Sequence, residues 1–89
     1  MPTSSEVQVT LPAGVALHAR PAGLFVKTAM RFQAQLRVEA SGKAANAKSI
    51  LAVLSLGATG GTPLTLIADG PDAELALDAL GACVSGLVE

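Results

Sequence analysis

The chain has 89 residues, of which 51% are hydrophobic and 15% are charged, and its formal net charge is -1. This length supports one domain, residues 1–89, and the low charge with high apolar content excludes an intrinsically disordered chain. The near-neutral balance and the absence of Trp and Tyr argue against nucleic-acid binding through bulk positive charge or base stacking.

The first two predicted elements are a strand and a helix. Apolar and polar residues alternate over residues 7–11, which predicts a half-buried strand, and Pro12 then breaks it. Residues 19 to about 31 have helical spacing, with Pro21 in the first turn, where a missing N–H costs nothing. The buried face of this helix is expected to consist of Ala22, Phe25, Val26 and Ala29.

The middle of the chain predicts a hairpin followed by a short helix. Alternation over residues 32–39 is the clearest strand pattern in the sequence, and the turn signal Ser41-Gly42 follows it. Residues 43–47 should therefore return as a shorter strand. A short helix is expected over residues 49–56, ended by Gly57.

The last two predicted elements are a strand over residues 64–68 and a helix opened by Gly70-Pro71-Asp72. The order β-α-β-β-α-β-α indicates, from periodicity alone, a two-layer α+β domain in which helices cover the apolar face of one sheet. The apolar face of the last helix is expected to contain Ala73, Ala76, Leu77, Leu80, Cys83, Val84 and Leu87.

The cysteine and histidine content limits the chemistry of the chain. Cys83 is the only cysteine, so no internal disulfide can form, which fits a reducing compartment. One His and one Cys nearly exclude a multi-ligand zinc site, and no metal or cofactor is expected. No apolar run is long enough to span a membrane, and the N-terminus does not resemble a signal peptide, so we expect a cytoplasmic protein without membrane insertion.

Charged residues are distributed unevenly along the chain. All six basic residues lie between Arg20 and Lys48, where Glu39 is the only acidic one, whereas five acidic residues and no basic residue occur from Asp69 onward. This asymmetry suits docking onto an acidic surface or the handling of an anion, and ordinary solvated faces are the alternative.

His18 is the only histidine, and it lies at or near the N-cap of the first predicted helix. Histidine is not among the favoured caps, and a helix N-terminus offers unpaired N–H groups and a partial positive charge. A phosphoryl group on the imidazole would meet these donors, and Arg20 could bind the same oxygens through its guanidinium. These residues indicate an anion site, with an unremarkable loop histidine as the alternative.

Two stretches of the sequence resemble the signatures of HPr, the histidine-containing phosphocarrier family of the bacterial sugar phosphotransferase system. Residues 17–22, Leu-His-Ala-Arg-Pro-Ala, are similar to the phosphorylation-site signature, and residues 46–57 to the signature around the regulatory serine. Ala68-Asp69-Gly70 matches the end of the last strand. The resemblance implies an open-faced β-sandwich, in which three helices cover one face of a four-stranded antiparallel sheet of order 1-4-2-3.

The resemblance also implies a stoichiometric phosphoryl carrier rather than an enzyme. His18 matches the histidine that accepts a phosphoryl group on Nδ1 from phosphorylated enzyme I and donates it to IIA domains of sugar permeases. Arg20 matches the arginine that steadies this group, and Pro21 matches the proline of the first helical turn. Ser49 matches the serine that a dedicated kinase modifies in many Gram-positive relatives. One departure is Ala16, which stands where the family usually has glycine, in a loop about two residues longer than usual.

The second predicted helix carries more apolar residues than one face can bury. Val53 and Leu56 are a plausible core pair, so the remaining apolar residues should form a partly exposed docking patch with basic neighbours. The alternative is a helix wedged between its neighbours. With the residues that flank His18, the expected docking residues are Leu17, Ala19, Lys27, Lys48, Ile50, Leu51 and Leu54.

The expected partners are enzyme I and the IIA domains, and the resemblance leaves room for a serine kinase/phosphorylase and a transcriptional regulator. Neither nucleic acid nor a second copy of the chain is expected, so the protein should be a monomer. Two alternatives stay open: a relay protein of a nitrogen-regulatory or dihydroxyacetone phosphorelay, and a small interaction domain without phosphoryl chemistry.

Overall fold

The computed structural model describes residues 4–87, so both ends of the expected domain, including Glu89, lie outside the described residues. Within this range, the predicted order β-α-β-β-α-β-α is confirmed. No helix in residues 4–87 has the length and apolar character needed to cross a bilayer. The elements are β1 (Ser4–Thr10), α1 (Ala19–Ala29), β2 (Gln35–Ala40), β3 (Lys43–Asn46), α2 (Ile50–Ser55), β4 (Pro63–Asp69) and α3 (Ala73–Ser85).

The four strands form one antiparallel sheet of order β1-β4-β2-β3. The register places Val7 opposite Leu66, and Leu66 opposite Val38 on its other side, so one row of apolar residues crosses three strands. The order 1-4-2-3 and the open-faced β-sandwich are therefore confirmed. Because β1 and β3 are the edge strands, β1 is less covered than its alternation suggested, and 38% of Val7 is exposed.

The hydrophobic core lies between this sheet and the three helices. Phe25 of α1 is fully buried, as are Leu64 and Leu66 of β4 and Val53 of α2. Full burial of a side chain of this size contributes about 1.5–3 kcal/mol each, which makes this layer the main source of stability. Cys83 is half-buried and packs against the core from α3.

Strand β2 begins at Gln35, three residues later than the alternation of residues 32–39 predicted. Its neighbour β4 ends at Asp69, directly opposite Gln35, so no strand is there for residues 32–34 to pair with. The chain instead leaves α1 through a turn, in which Phe32 N–H donates to Ala29 C=O at 3.2 Å. This same turn ends α1 at Ala29, about two residues earlier than predicted.

Candidate functional site

His18 occupies the N-cap of α1 in an extended conformation, with φ -85° and ψ -172°, as its position before the helix predicted. Its carbonyl accepts the first helical hydrogen bond, from Ala22 N–H at 2.8 Å. The side chain is exposed and makes no capping hydrogen bond. The imidazole is therefore presented to the surroundings of the domain instead of being used to stabilise the helix.

The first turn of α1 is suited to an anion. Because Ala22 N–H makes the first bond of the helix, Ala19 and Arg20 have backbone N–H groups without an intrahelical acceptor, and Pro21 has none to satisfy. No acidic residue lies in this turn, so nothing there offsets the positive end of the helix dipole. Arg20 is exposed two residues after His18, and its guanidinium adds a full positive charge.

The loop before His18 is held by buried and hydrogen-bonded neighbours. Leu17 is only 3% exposed, and its N–H donates to Ala58 C=O at 3.0 Å. The prediction that Leu17 offers its side chain to partners is therefore wrong, since the side chain packs in the core. His18 N–H donates to Ala16 C=O at 2.8 Å. Among the described residues, Ser41 is the only non-glycine with positive φ, so Ala16 fills a position that does not require glycine.

A close contact with the segment after α2 supports this loop from the other side. A Cβ added to Gly60 would lie 2.6 Å from the backbone N of Gly14 and 3.0 Å from the carbonyl O of Pro12. Leu11 also exchanges hydrogen bonds with this segment, through Thr62 C=O and Gly61 N–H. The loop that leads to His18 thus packs closely against Gly60, which lies 42 positions after His18 in the sequence.

Ser49 is the N-cap of α2 at the start of the helix expected over residues 49–56, and its Oγ accepts a hydrogen bond from Ala52 N–H at 3.3 Å. The residue is half-buried, and its own N–H donates to Asn46 C=O at 3.0 Å. The hydroxyl therefore lies at the positive end of a short helix, beside Ile50, which is 39% exposed.

Lys48 is tied to the fold more closely than a residue at the rim of a docking patch would be. It is half-buried, and its Nζ donates to Phe32 C=O at 2.7 Å. Its N–H donates to Asn46 Oδ1 at 2.9 Å. Its ammonium charge therefore bridges the start of α2 to the connection between α1 and β2.

Helices α1 and α2 pack against each other and leave apolar side chains exposed. Leu51 is 78% exposed, whereas Val53 and Leu56 are buried, which confirms the expected core pair. Leu54 is half-buried against the core, so it contributes less exposed area than predicted. Ala19 and Lys27 are exposed on α1. Two further exposed apolar residues, which the sequence pattern did not single out, belong to α1 and its C-cap: Leu24, 52% exposed, and Met30, 66% exposed.

Asp72 has a role that its sequence position did not predict. Its Oδ2 accepts from Gln33 N–H at 2.9 Å and its Oδ1 accepts from Ala34 N–H at 2.8 Å. The hydrogen bond from Gln33 lowers the pKa of Asp72 most, desolvation opposes it, and the bond from Ala34 and the charge of Lys48 lower it further. The carboxylate thus clamps the start of α3 to the chain entering β2.

Comparison with known proteins identifies the family. The family model for the phosphorylation site of the HPr component of the phosphotransferase system matches residues 3–85. The chain belongs to the HPr family. HPr is the phosphocarrier of the phosphotransferase system, and the resemblance drawn from the two sequence signatures is confirmed.

Both relatives and solved structures match nearly the whole chain. The chain is 48% identical over 79 residues to the HPr-like protein Crh of Bacillus subtilis, covering 89% of this chain and 91% of that protein. It is 43% identical over 82 residues to the phosphocarrier protein HPr of Vibrio cholerae, covering 92% of this chain and 96% of that protein. The crystal structure of HPr from Bacillus anthracis superposes with a TM-score of 0.87 at 43% identity, covering 92% of this chain and 98% of that one.

Proposed function

We propose that this chain carries a phosphoryl group on His18, which it accepts from phosphorylated enzyme I and donates to IIA domains of sugar permeases in the cytoplasm. The observation that carries the proposal is the exposed imidazole at the N-cap of α1, which makes no capping hydrogen bond. A histidine that only closed the helix would use its side chain on an N–H of the first turn.

The proposed step transfers a phosphoryl group from a side chain of enzyme I to a ring nitrogen of His18 and needs no cofactor. A ring nitrogen of His18, which by family resemblance is Nδ1, forms a bond to phosphorus as the bond between phosphorus and the donor side chain of enzyme I breaks. The phosphoryl oxygens then lie beside the free N–H groups of the first turn and the guanidinium of Arg20. These donors stabilise the negative charge of the phosphoryl oxygens. The chain therefore contributes positioning and charge stabilisation, and its partners supply the other groups that the transfer needs.

The exposed apolar residues of α1 and α2, together with the basic charge beside them, suit a partner protein with an acidic docking surface. Ile50, Leu51 and Leu24 offer exposed area on α2 and α1, and Lys27 adds a basic charge. Because donor and acceptor proteins must both reach His18, we infer that they use this surface in turn. Electrostatic complementarity of this kind sets orientation and association rate more than affinity.

Ser49 is the proposed regulatory site. A phosphate on its Oγ would place about -1.5 to -2 charges beside Ile50 and Leu51 and would repel an acidic partner. A serine kinase/phosphorylase that modifies this hydroxyl, and a transcriptional regulator that reads the modified form, are the further partners that fit this arrangement.

A regulatory role without onward transfer is the second candidate function. The observation that favours it is the 48% identity to Crh, an HPr-like protein whose structure is described as a catabolite repression HPr. A crystal structure of Crh is described as a swapped dimer, and HPr of Thermoanaerobacter tengcongensis has one described as a dimer. The monomer stays our prediction for this chain, and sedimentation equilibrium tests it directly.

Incubation of the purified chain with enzyme I and labelled phosphoenolpyruvate tests the proposed function. We expect incorporation of an acid-labile, alkali-stable phosphate, as in a phosphoramidate, and no incorporation in His18→Ala. The variant should keep the wild-type circular dichroism spectrum because His18 is exposed. Acid-stable phosphate would indicate a hydroxyl acceptor, and incorporation in His18→Ala would remove His18 from the proposal. The rates of phosphoryl transfer with enzyme I and IIA proteins of sugar, nitrogen and dihydroxyacetone systems are then compared. The fastest set identifies the preferred partners.

A further inference from the structure

A groove of about 500 Å³ runs between the edge strand β1 and helix α3. Residues of β1 and α3 form its walls, and its apolar lining consists of Val7, Val9, Leu77, Gly81 and Ala82. The groove shares no lining residue with the surface around His18 and Ser49. It is therefore a second surface, outside the phosphocarrier site.

The outer edge of β1 provides backbone groups for an additional strand. Among residues 4–87, β1 pairs with β4 alone, so alternate residues of β1 direct their N–H and C=O away from the sheet. The strand contains neither proline nor lysine, the residues that commonly protect such edges. Extended peptides bind edges of this type through main-chain hydrogen bonds, with pockets for alternate side chains.

Carboxylates at the groove determine which peptide fits. Glu6, Glu74 and Asp78 line the groove, and none of them forms an ion pair within residues 4–87. Glu74 and Asp78 are four residues apart on α3, which spaces them by roughly 6 Å along the helix axis. Alternate residues of an added strand are about 6.8 Å apart, so basic side chains at every second position match both carboxylates.

The same charges argue against a second copy of this chain as the occupant. Pairing of two β1 edges would bring two acidic grooves together. No basic residue occurs after Lys48 that could compensate for them from α3 or β4. Like charges placed opposite one another across a strand pair are destabilising.

Gly81 is a glycine in the interior of α3 that the packing of the chain does not require. Glycine is an unfavourable residue inside a helix. A Cβ at this position would meet only Cγ1 of Val9, at 3.7 Å, which is ordinary van der Waals contact. Alanine would therefore fit the folded chain, and its methyl group would occupy space between α3 and β1. The consequence of glycine here is an open groove beside Val9.

We propose that this groove binds an extended, lysine-rich segment of a partner protein, which adds to β1 as a fifth strand. Alternate basic side chains of the segment lie over Glu74 and Asp78, and the intervening backbone bonds to the outer edge of β1.

The test uses the blocked peptide Lys-Val-Lys-Val-Lys-Val-Lys as a probe of the full chain, followed by amide chemical shifts and titration at low salt. We expect saturable shifts at Val7, Val9 and Gly81. Two control peptides should not bind: one with glutamate in place of lysine, and one with proline at the central valine, because proline removes a strand N–H.

Matched variants of the chain locate the interaction. Glu74→Gln should weaken peptide binding by roughly two- to fivefold, as loss of one exposed ion pair does, whereas Glu39→Gln, the same change on the open face of the sheet, should not. Gly81→Ala should melt no lower than wild type and bind the peptide several-fold more weakly.

Four results would overturn the proposal. They are the absence of saturable binding, equal binding of the glutamate or proline peptide, shifts confined to α1 and α2, and a dimer that occupies the β1 edge. If Gly81→Ala fails to fold, the comparison of Glu74→Gln with Glu39→Gln still decides the matter.

Discussion

The backbone N–H of Leu17 donates to the carbonyl of Ala58 at 3.0 Å, which ties the residue before His18 to the segment after α2. The side chain of Leu17 is buried, and the next residue, His18, is the N-cap of α1 with an exposed imidazole. An exposed imidazole is thus displayed from a backbone that is hydrogen-bonded on both sides. Geometry of this kind limits the conformational freedom that a phosphoryl transfer would otherwise have to remove.

Gly60→Ala should disturb this support. The added Cβ would approach the backbone N of Gly14 at 2.6 Å, a contact that requires one of the two segments to move. We expect a loss of about 1–3 kcal/mol in the free energy of unfolding and slower phosphoryl acceptance. Gly23→Ala in α1 is the control, because its Cβ would meet nothing within 4 Å. Urea unfolding of both variants checks this, and equal stabilities would contradict it.

Asp72 should make the fold sensitive to acid. The pKa of Asp72 is lowered, chiefly by the hydrogen bond from Gln33. The carboxylate therefore contributes to the free energy of unfolding above its ordinary pKa of 3.8, and this contribution is lost as the pH falls through the folded-state pKa. Asp72→Asn keeps one carbonyl acceptor and should melt lower than wild type at pH 7, with the difference shrinking below about pH 4. Thermal melts across this range test it, with exposed Asp78→Asn as the control. A difference that stays constant with pH would contradict it.

Local pattern was enough to predict the sheet and helices, because each element carries its own periodicity. Val38 lies on a strictly alternating stretch, and Leu66 lies on one that only Ile67 interrupts. The two signatures around His18 and Ser49 supplied the topology that periodicity could not. Exposed Leu24 lies off the buried stripe of α1, so the sequence contained the signal that identifies it as surface.

Contacts between distant segments could not be predicted in this way. Asp72 and Gln33 are 39 positions apart, and nothing near either residue indicates their hydrogen bond. Leu17 flanks the exposed His18, so sequence proximity suggested a docking residue. Its side chain is buried in the core, and its N–H donates to Ala58 C=O, which lies in a different loop. Such pairings depend on how whole elements are arranged, and one sequence does not contain that information locally.

Arg20→Ala should slow phosphoryl transfer far more than it weakens docking to enzyme I. A guanidinium beside the phosphoryl group acts mainly on charge in the transition state, and loss of one comparable donor costs about 10²–10³-fold in rate. Arg20→Lys should recover part of the rate, because it keeps the charge and loses the bidentate geometry. Arg31→Ala, beyond the end of α1, is the control. Rapid-quench rates and titration calorimetry separate the two effects, and equal losses in rate and affinity would assign Arg20 to docking alone.

Substitutions at Ser49 separate its capping role from its proposed regulatory role. Ser49→Ala removes the acceptor for Ala52 N–H and should cost roughly 0.5–2 kcal/mol of stability, with nearly unchanged binding of enzyme I. Ser49→Asp keeps a good cap with a favourable charge, so stability should hold, while acceptance from enzyme I becomes slow. Thermal melts and initial rates are measured on all three proteins. An aspartate variant as fast as wild type would leave Ser49 as a cap only.

Nuclear magnetic resonance of the phosphorylated chain tests the central claim, that His18 carries the phosphoryl group, most directly. The chain, labelled with ¹⁵N in its single histidine, is treated with enzyme I and phosphoenolpyruvate and then with a IIA domain. We predict coupling between phosphorus and Nδ1 of His18 after the first step, and its disappearance as the IIA domain becomes phosphorylated. Phosphorus coupled to neither ring nitrogen of His18, with phosphate found elsewhere on the chain, would contradict the account.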